Sequence, residues 1–340
     1  MVERERSWRK LQAEHGPSFL QWLEAERVLW KRFSGLADTW DAFLEDFLAD
    51  VPACHAFMEA MPKVVFKCNQ DIYGELPVVM AYAHVYLLER YRRFWAVLAE
   101  LVRANSLPLG DRGVQVLDVG TGPAPVLYAV SDFYDAIVAF GAEQGLHEFT
   151  RAAAELHLIE SSRAMRHVIH LVSEYDERPA GPFDARYGDF DSFDPDAARD
   201  AEWRTLIRQL VDLDDMSEDQ ARRWAAENPD QIHATHRYLL CTFSNFLTEV
   251  DRVRQQRVRI AMAFRSVRPG GVAVIVGATG DPYPDIYAEI ADLAVASRLT
   301  AVDLVPQIRC VYNERRAGGS HQELVEPDVG EAESSWRRSS

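Results

Sequence analysis

Hydrophobic positions recur along this chain with two different periods, and the place where the period changes divides it. Up to about residue 107 the spacing is helical. Trp40, Phe43, Leu44, Phe47 and Leu48 fall at i, i+3, i+4, i+7 and i+8, which predicts an amphipathic helix with Asp38 as its N-cap. Pro77, suited to a first helical position, opens a longer predicted helix that runs to about Ala104 and carries Tyr82, Tyr86, Tyr91, Phe94 and Trp95. From residue 114 the apolar runs turn short and near-continuous, as in strands buried on both faces of a parallel sheet. Strands are expected at 114–119, 156–160, 184–190, 238–244 and 272–276, and closing strands at 300–305 and 308–313. Helices are expected at 124–140, 146–155 and 250–267, with a helical pair at 197–211 and 218–226 inserted within residues 191–236. This alternation predicts an α/β fold with a doubly wound sheet behind an N-terminal helical cap. The Pro/Gly-containing stretch 106–113 marks the boundary, giving a cap over 1–107, an α/β domain over 108–315 and a polar tail over 316–340. That tail lacks apolar periodicity and is expected to be disordered.

The chemistry starts where the first strand ends. Asp118 is followed by Gly120 and Gly122, whose positive-φ freedom permits a tight turn and close backbone approach to a ligand. A dinucleotide fingerprint has a third small residue where this chain has Pro125, and an apolar residue where it has Asp118. Both differences count against NAD and FAD. Further along, Glu160 ends the second strand, where a carboxylate accepts from ribose hydroxyls. It follows Gly122 by 38 residues, about twice the usual ~20, and the additional predicted helix accounts for the excess. Asp189-Phe190 comes third in line, and Arg268-Pro269-Gly270-Gly271 leads into the fifth strand.

Asp118-x-Gly120-x-Gly122-Pro123, Glu160, Gly188-Asp189-Phe190 and the 268–271 turn, in that order, resemble the class I S-adenosylmethionine-dependent methyltransferases over about residues 110–313. The resemblance implies a Rossmann-like methyltransferase sheet and S-adenosyl-L-methionine as cofactor. It implies that Asp118, Gly120, Thr121 and Gly122 hold the methionine end, Glu160 and Ser161 the ribose, and Asp189 and Phe190 the adenine. Thr242 and Phe243 complete the cofactor set. Ser244 and Asn245 should position the acceptor, joined by Tyr82 if the N-terminal helices act as a lid, with residues 67–74 crossing the mouth. Glu249, His233 and His236 are the candidates should a base be needed. The passages 244–249 and 270–276 also resemble methyltransferase-like proteins associated with small ribosomal subunits.

Composition narrows the partner. Hydrophobic residues at 48% and charged residues at 26% are ordinary for a globular chain. Lys+Arg 37 against Asp+Glu 53 leaves a net charge of −16, which repels a phosphate backbone, so a small-molecule acceptor, for instance in secondary metabolism, is favoured over nucleic acid. No apolar segment is long enough for a bilayer and the start lacks a signal peptide, which points to a cytoplasmic protein without membrane attachment. The four cysteines show no metal spacing, so no metal is expected. Assembly is left open, a homodimer included. Beside methyl transfer stand three alternatives: aminocarboxypropyl transfer or cyclisation releasing methylthioadenosine, an RNA- or ribosome-directed methyltransferase, and a non-catalytic assembly factor.

Overall fold

A computed structural model describes residues 2–66, 73–110, 113–176, 184–187, 189–213, 216–227, 238–277, 282–302, 308–309, 328–329 and 334–338. Its centre is β1 (Val114–Val119), all six of whose residues are buried. Because β1 is covered on both sides, its apolar run is nearly continuous. It pairs in parallel with β2 (Ala154–Ile159) and with β4 (Tyr238–Ser244). β3 (Asp184–Tyr187) extends the sheet beyond β2, and β5 (Val267–Val276) beyond β4, again in parallel. The order β3-β2-β1-β4-β5 reverses between β1 and β4, the switch point at which doubly wound sheets open a ligand crevice. The fold is the doubly wound α/β sheet that the alternation of periods predicts, and it is Rossmann-like, as the resemblance implies.

Alternation along each strand sends residues to two separate cores. Val114, Val116, Leu156, Leu158, Leu240, Val272 and Val274 join the helices α5 (Pro125–Gln144) and α6 (Arg163–Tyr175). Leu117, Val119, Ile159, Cys241, Phe243 and Ile275 join α9 (Val250–Gln255), α10 (Arg257–Ser266) and α11 (Tyr283–Ala296). Ahead of the sheet lie α1 (Val2–Ala25), α2 (Val28–Leu48), α3 (Val51–Phe66) and α4 (Leu76–Arg103). α4 packs along α5 and α6, and its aromatic residues merge with the core of the first face. α7 (Pro195–Leu213) and α8 (Glu218–Glu227) form the inserted pair. Among the described residues, no helix is long and apolar enough to cross a membrane.

Several local expectations are corrected. Asp38 is no N-cap, because α2 starts ten residues earlier, after Arg27 at φ 52°, and carries Asp38 on its exposed side. The helix expected over 146–155 shrinks to one 3-10 turn, Phe149–Arg151: Gly145, at φ 69°, ends α5, and Phe149 then packs directly onto Gly141. The helix over 250–267 breaks at Gln256 into α9 and α10. Residues 268–271 lie inside β5, where the register against β4 shifts and Gly270 takes φ 80°.

The far edge of the sheet differs most. β6 (Leu299–Val302) is part of it, but β7 (Ile308–Arg309) pairs with β8 (Asp328–Val329) in a separate two-stranded ribbon. The strand between β5 and β6 is β9 (Ser334–Arg338), antiparallel to both, so this part of the tail is ordered rather than disordered. A ladder is made by backbone N–H and C=O groups, and an unpaired edge beside β5 takes a strand whose side chains carry no apolar period.

Candidate cofactor and acceptor site

The ends of β1, β2 and β4 meet at the glycine turn. Gly120 and Gly122 adopt φ of 71° and 58°, and Ala124, the residue before α5, follows at 64°. The N–H groups of Gly120 and Thr121 both point to the carbonyl of Ile159, which ties the turn to the end of β2. Glu160, next in line, donates nothing and accepts twice: its Oε2 takes the N–H of Gly122 at 2.8 Å and its Oε1 the N–H of Ser162 at 2.7 Å. Ser162 caps α6, its Oγ accepting from the N–H of Met165. Burial raises the Glu160 carboxyl above its usual range, opposed by those two N–H groups and by the charges of Arg166 and Arg252. Ser161 is exposed and its carbonyl accepts from Arg166 at 3.1 Å.

Asp118 sits beneath the turn, 1% exposed. The Thr242 hydroxyl donates to its Oδ1 at 2.6 Å, while Oδ2 has no hydrogen-bond partner. Desolvation pushes this carboxyl up to about 7; the Thr242 and Thr121 side chains oppose the rise and the nearby Glu160 charge adds to it. A buried acceptor without a donor is costly, and a cationic donor would complete it best. Thr121 turns its hydroxyl to the Asp118 carbonyl at 3.1 Å.

The third strand end looks different. Asp189 is exposed and its Oδ1 accepts from the N–H of Asp191, capping a short 3-10 turn. Phe190 is buried, edge-on to Phe243 at 5.9 Å and to Phe246 at 5.5 Å, so it belongs to the second core as much as to a ligand wall. At the end of β4, Ser244 is half-buried and Asn245 takes φ 53°, its N–H bonded to the carbonyl of Val276 at 2.7 Å. Glu249 is exposed, whereas His233 and His236 lie outside the described residues, as do residues 67–72 and Gly188.

Two aromatic rings rest on the turn, one per glycine. A Cβ on Gly120 would lie 2.2 Å from Cδ2 of Phe246, and one on Gly122 would lie 3.7 Å from Cε1 of Tyr82. Each ring carries a guanidinium: Arg252 lies 4.7 Å from the Phe246 centroid and Arg90 4.9 Å from that of Tyr82. Tyr73 comes in beside Tyr82 at 4.8 Å, and its carbonyl accepts from the Ser162 hydroxyl at 2.7 Å. Of the expected site residues, Tyr82, Asp118, Thr121, Gly120, Gly122, Glu160 and Thr242 are thereby brought together. Phe246, Arg90, Arg252 and Ser162 were not foreseen as site residues. Arg90 was findable, since it continues the i, i+4, i+8 row of Tyr82 and Tyr86 on α4.

No family model matches the chain, and no curated protein does. Solved structures similar to it are S-adenosylmethionine-dependent methyltransferases. One is magnesium protoporphyrin IX methyltransferase from Synechocystis with bound SAM, at 8% identity and a TM-score of 0.37, covering 82% of this chain and 90% of that one. A methyltransferase from Clostridium acetobutylicum has 10% identity and a TM-score of 0.38 over 76% of this chain and 98% of its own. A putative class I enzyme from Listeria monocytogenes has 10% identity and 0.35 over 92% and 88%.

Proposed function

We propose that the chain is an S-adenosylmethionine-dependent methyltransferase acting on a small molecule. The observation that carries this reading is the pair of buried carboxylates flanking a positive-φ glycine turn at the sheet's switch point: Glu160 above and Asp118, with its open Oδ2, beneath. A nicotinamide dinucleotide presents a pyrophosphate to such a turn, and a buried carboxylate beneath it, Asp118, would repel it. A cofactor with ribose hydroxyls and an ammonium suits both. The group, when bound, supplies an electrophilic methyl on a sulfonium.

The chain's own residues would then act as follows. Glu160 keeps one lone pair on each oxygen beyond its two backbone bonds, which is room for a vicinal diol. Asp118 offers Oδ2 to an ammonium, and that contact would favour its ionised form. Asp189 retains an oxygen for an adenine amino group. Ser244 and Asn245, at the end of β4, and Tyr82, over Gly122, would orient an acceptor, while α4 would exclude water. In-line placement alone can supply much of the acceleration, so no dedicated base is assigned. The charge of −16 supports a small molecule rather than nucleic acid. Calorimetric titration with S-adenosylhomocysteine tests the reading; saturable binding supports it, and binding of NAD in its place would overturn it.

A further inference from the structure

Arg90 leaves α4 two turns after Tyr82 and folds back over the aromatic cluster. Its guanidinium lies 4.9 Å from the Tyr82 centroid and 4.6 Å from that of Tyr86, and it donates to the Tyr82 hydroxyl. From the glycine turn to this cation there is a single intervening side chain, Tyr82. A guanidinium has five N–H donors, and the Tyr82 hydroxyl is the one hydrogen-bond acceptor it finds among the described residues. Among the described residues it forms no ion pair with a carboxylate; the acidic charge that acts on it is that of its chain neighbour Glu89. The half-buried Arg32 meets Asp132 at 3.6 Å, and the exposed Arg254 and Arg103 meet Glu289 at 2.8 Å and Glu100. Arg252, on the far side of the turn, spends its field on Glu160. With 53 acidic residues against 37 basic ones, carboxylates are not scarce. A cation left in this position is held by two rings in a fixed plane and still has donors to spend.

We propose that Arg90 anchors the acceptor substrate by its carboxylate, so that the small molecule carries an anionic group on a flat apolar body seated against Tyr82 and Tyr86. The planar fork of a guanidinium matches a carboxylate in two parallel hydrogen bonds, and the tyrosine faces match a ring. This rests on the methyltransferase reading, because it places the acceptor beside the turn that holds the cofactor. The cofactor's own amino-acid carboxylate is the other source of the same chemistry.

Fluorine NMR relaxation of 4-fluorobenzoate and of its neutral analogue 4-fluorobenzamide, each added to the full chain with and without saturating S-adenosylhomocysteine, separates these cases. The benzoate is expected to bind about tenfold more tightly than the amide, the worth of a charge-assisted bond. Arg90→Met should abolish that preference, Arg90→Lys should restore part of it, and neither should change S-adenosylhomocysteine affinity by more than about twofold. Equal binding of the two probes to the wild-type chain, no binding of either, or a preference that survives in Arg90→Met overturns the proposal. So does an about tenfold loss of S-adenosylhomocysteine affinity in Arg90→Met, which would assign the guanidinium to the cofactor's carboxylate. A wild-type chain that prefers benzoate but never binds S-adenosylhomocysteine would contradict the methyltransferase reading and leave the anion anchor standing.

Discussion

The N–H of Gly122 donates to Oε2 of Glu160 at 2.8 Å, so the glycine turn after β1 is fastened to the carboxylate that ends β2. Because Oε1 of the same side chain accepts from Ser162, one carboxylate holds both the turn and the start of α6. A ligand on Glu160 therefore meets a surface already shaped by protein hydrogen bonds.

Glu160→Ala should consequently do two things. It orphans two N–H groups, lowering the unfolding free energy by about 1–3 kcal/mol, and it weakens S-adenosylhomocysteine binding by roughly 1.5–3 kcal/mol through lost bonds to the ribose. Urea unfolding and calorimetry read the two separately. A folded variant with unchanged affinity would remove Glu160 from the cofactor site.

Asp118 makes the site pH-dependent. Its folded-state value of about 7 lies above the ordinary 3.8, so the folded chain binds this proton more tightly than the unfolded one. The stability it contributes is complete below pH 3.8 and is lost as pH rises through about 7. An ammonium on Oδ2 requires the ionised form, so S-adenosylhomocysteine should bind more tightly at pH 8 than at pH 6, each within about a unit of the Asp118 midpoint. Asp118→Asn should flatten that profile; an equal pH dependence in the variant would contradict the assignment.

Gly120→Ala tests the turn itself. The added methyl would force an alanine to φ 71° and strike Phe246, at a cost of about 1–3 kcal/mol. In the double variant with Phe246→Ala, compared with Phe246→Ala alone, the clash with the ring should be relieved, while the contact with Cβ of residue 246 at 2.7 Å and the dihedral part should remain. Thermal melts of the two variants separate them. Full recovery in the double variant would mean that the backbone is not strained there.

Closure by the N-terminal helices gives a further expectation. Tyr73 is bonded to Ser162 and Tyr82 covers Gly122, so amides of residues 73–82 should gain hydrogen-exchange protection on saturation with S-adenosylhomocysteine. If none does, α4 is core alone.

Much of this was legible in the sequence because the signals are local. Val114, Val116, Leu117 and Val119 form a run that suits a strand buried on both faces, and Pro77 stands in the first turn of α4. What escaped depends on residues far apart in the chain. Phe246 could not be placed on Gly120, nor the Tyr82, Tyr86 and Arg90 row of α4 against Gly122, before the sheet and α4 had been packed together. β9 was missed for another reason: Trp336 is the one large apolar residue in Ser334–Arg338, and backbone pairing leaves no pattern to read.

Transfer of a methyl group from S-adenosylmethionine leaves S-adenosylhomocysteine, whereas attack on its aminocarboxypropyl arm leaves 5′-methylthioadenosine. The purified chain incubated with S-adenosylmethionine and a small-molecule extract should form S-adenosylhomocysteine, in step with label moving from the cofactor methyl into an acceptor, and both should fall in Glu160→Ala. Formation of 5′-methylthioadenosine above the uncatalysed background, without S-adenosylhomocysteine, would contradict methyl transfer and assign the chemistry to the aminocarboxypropyl arm instead.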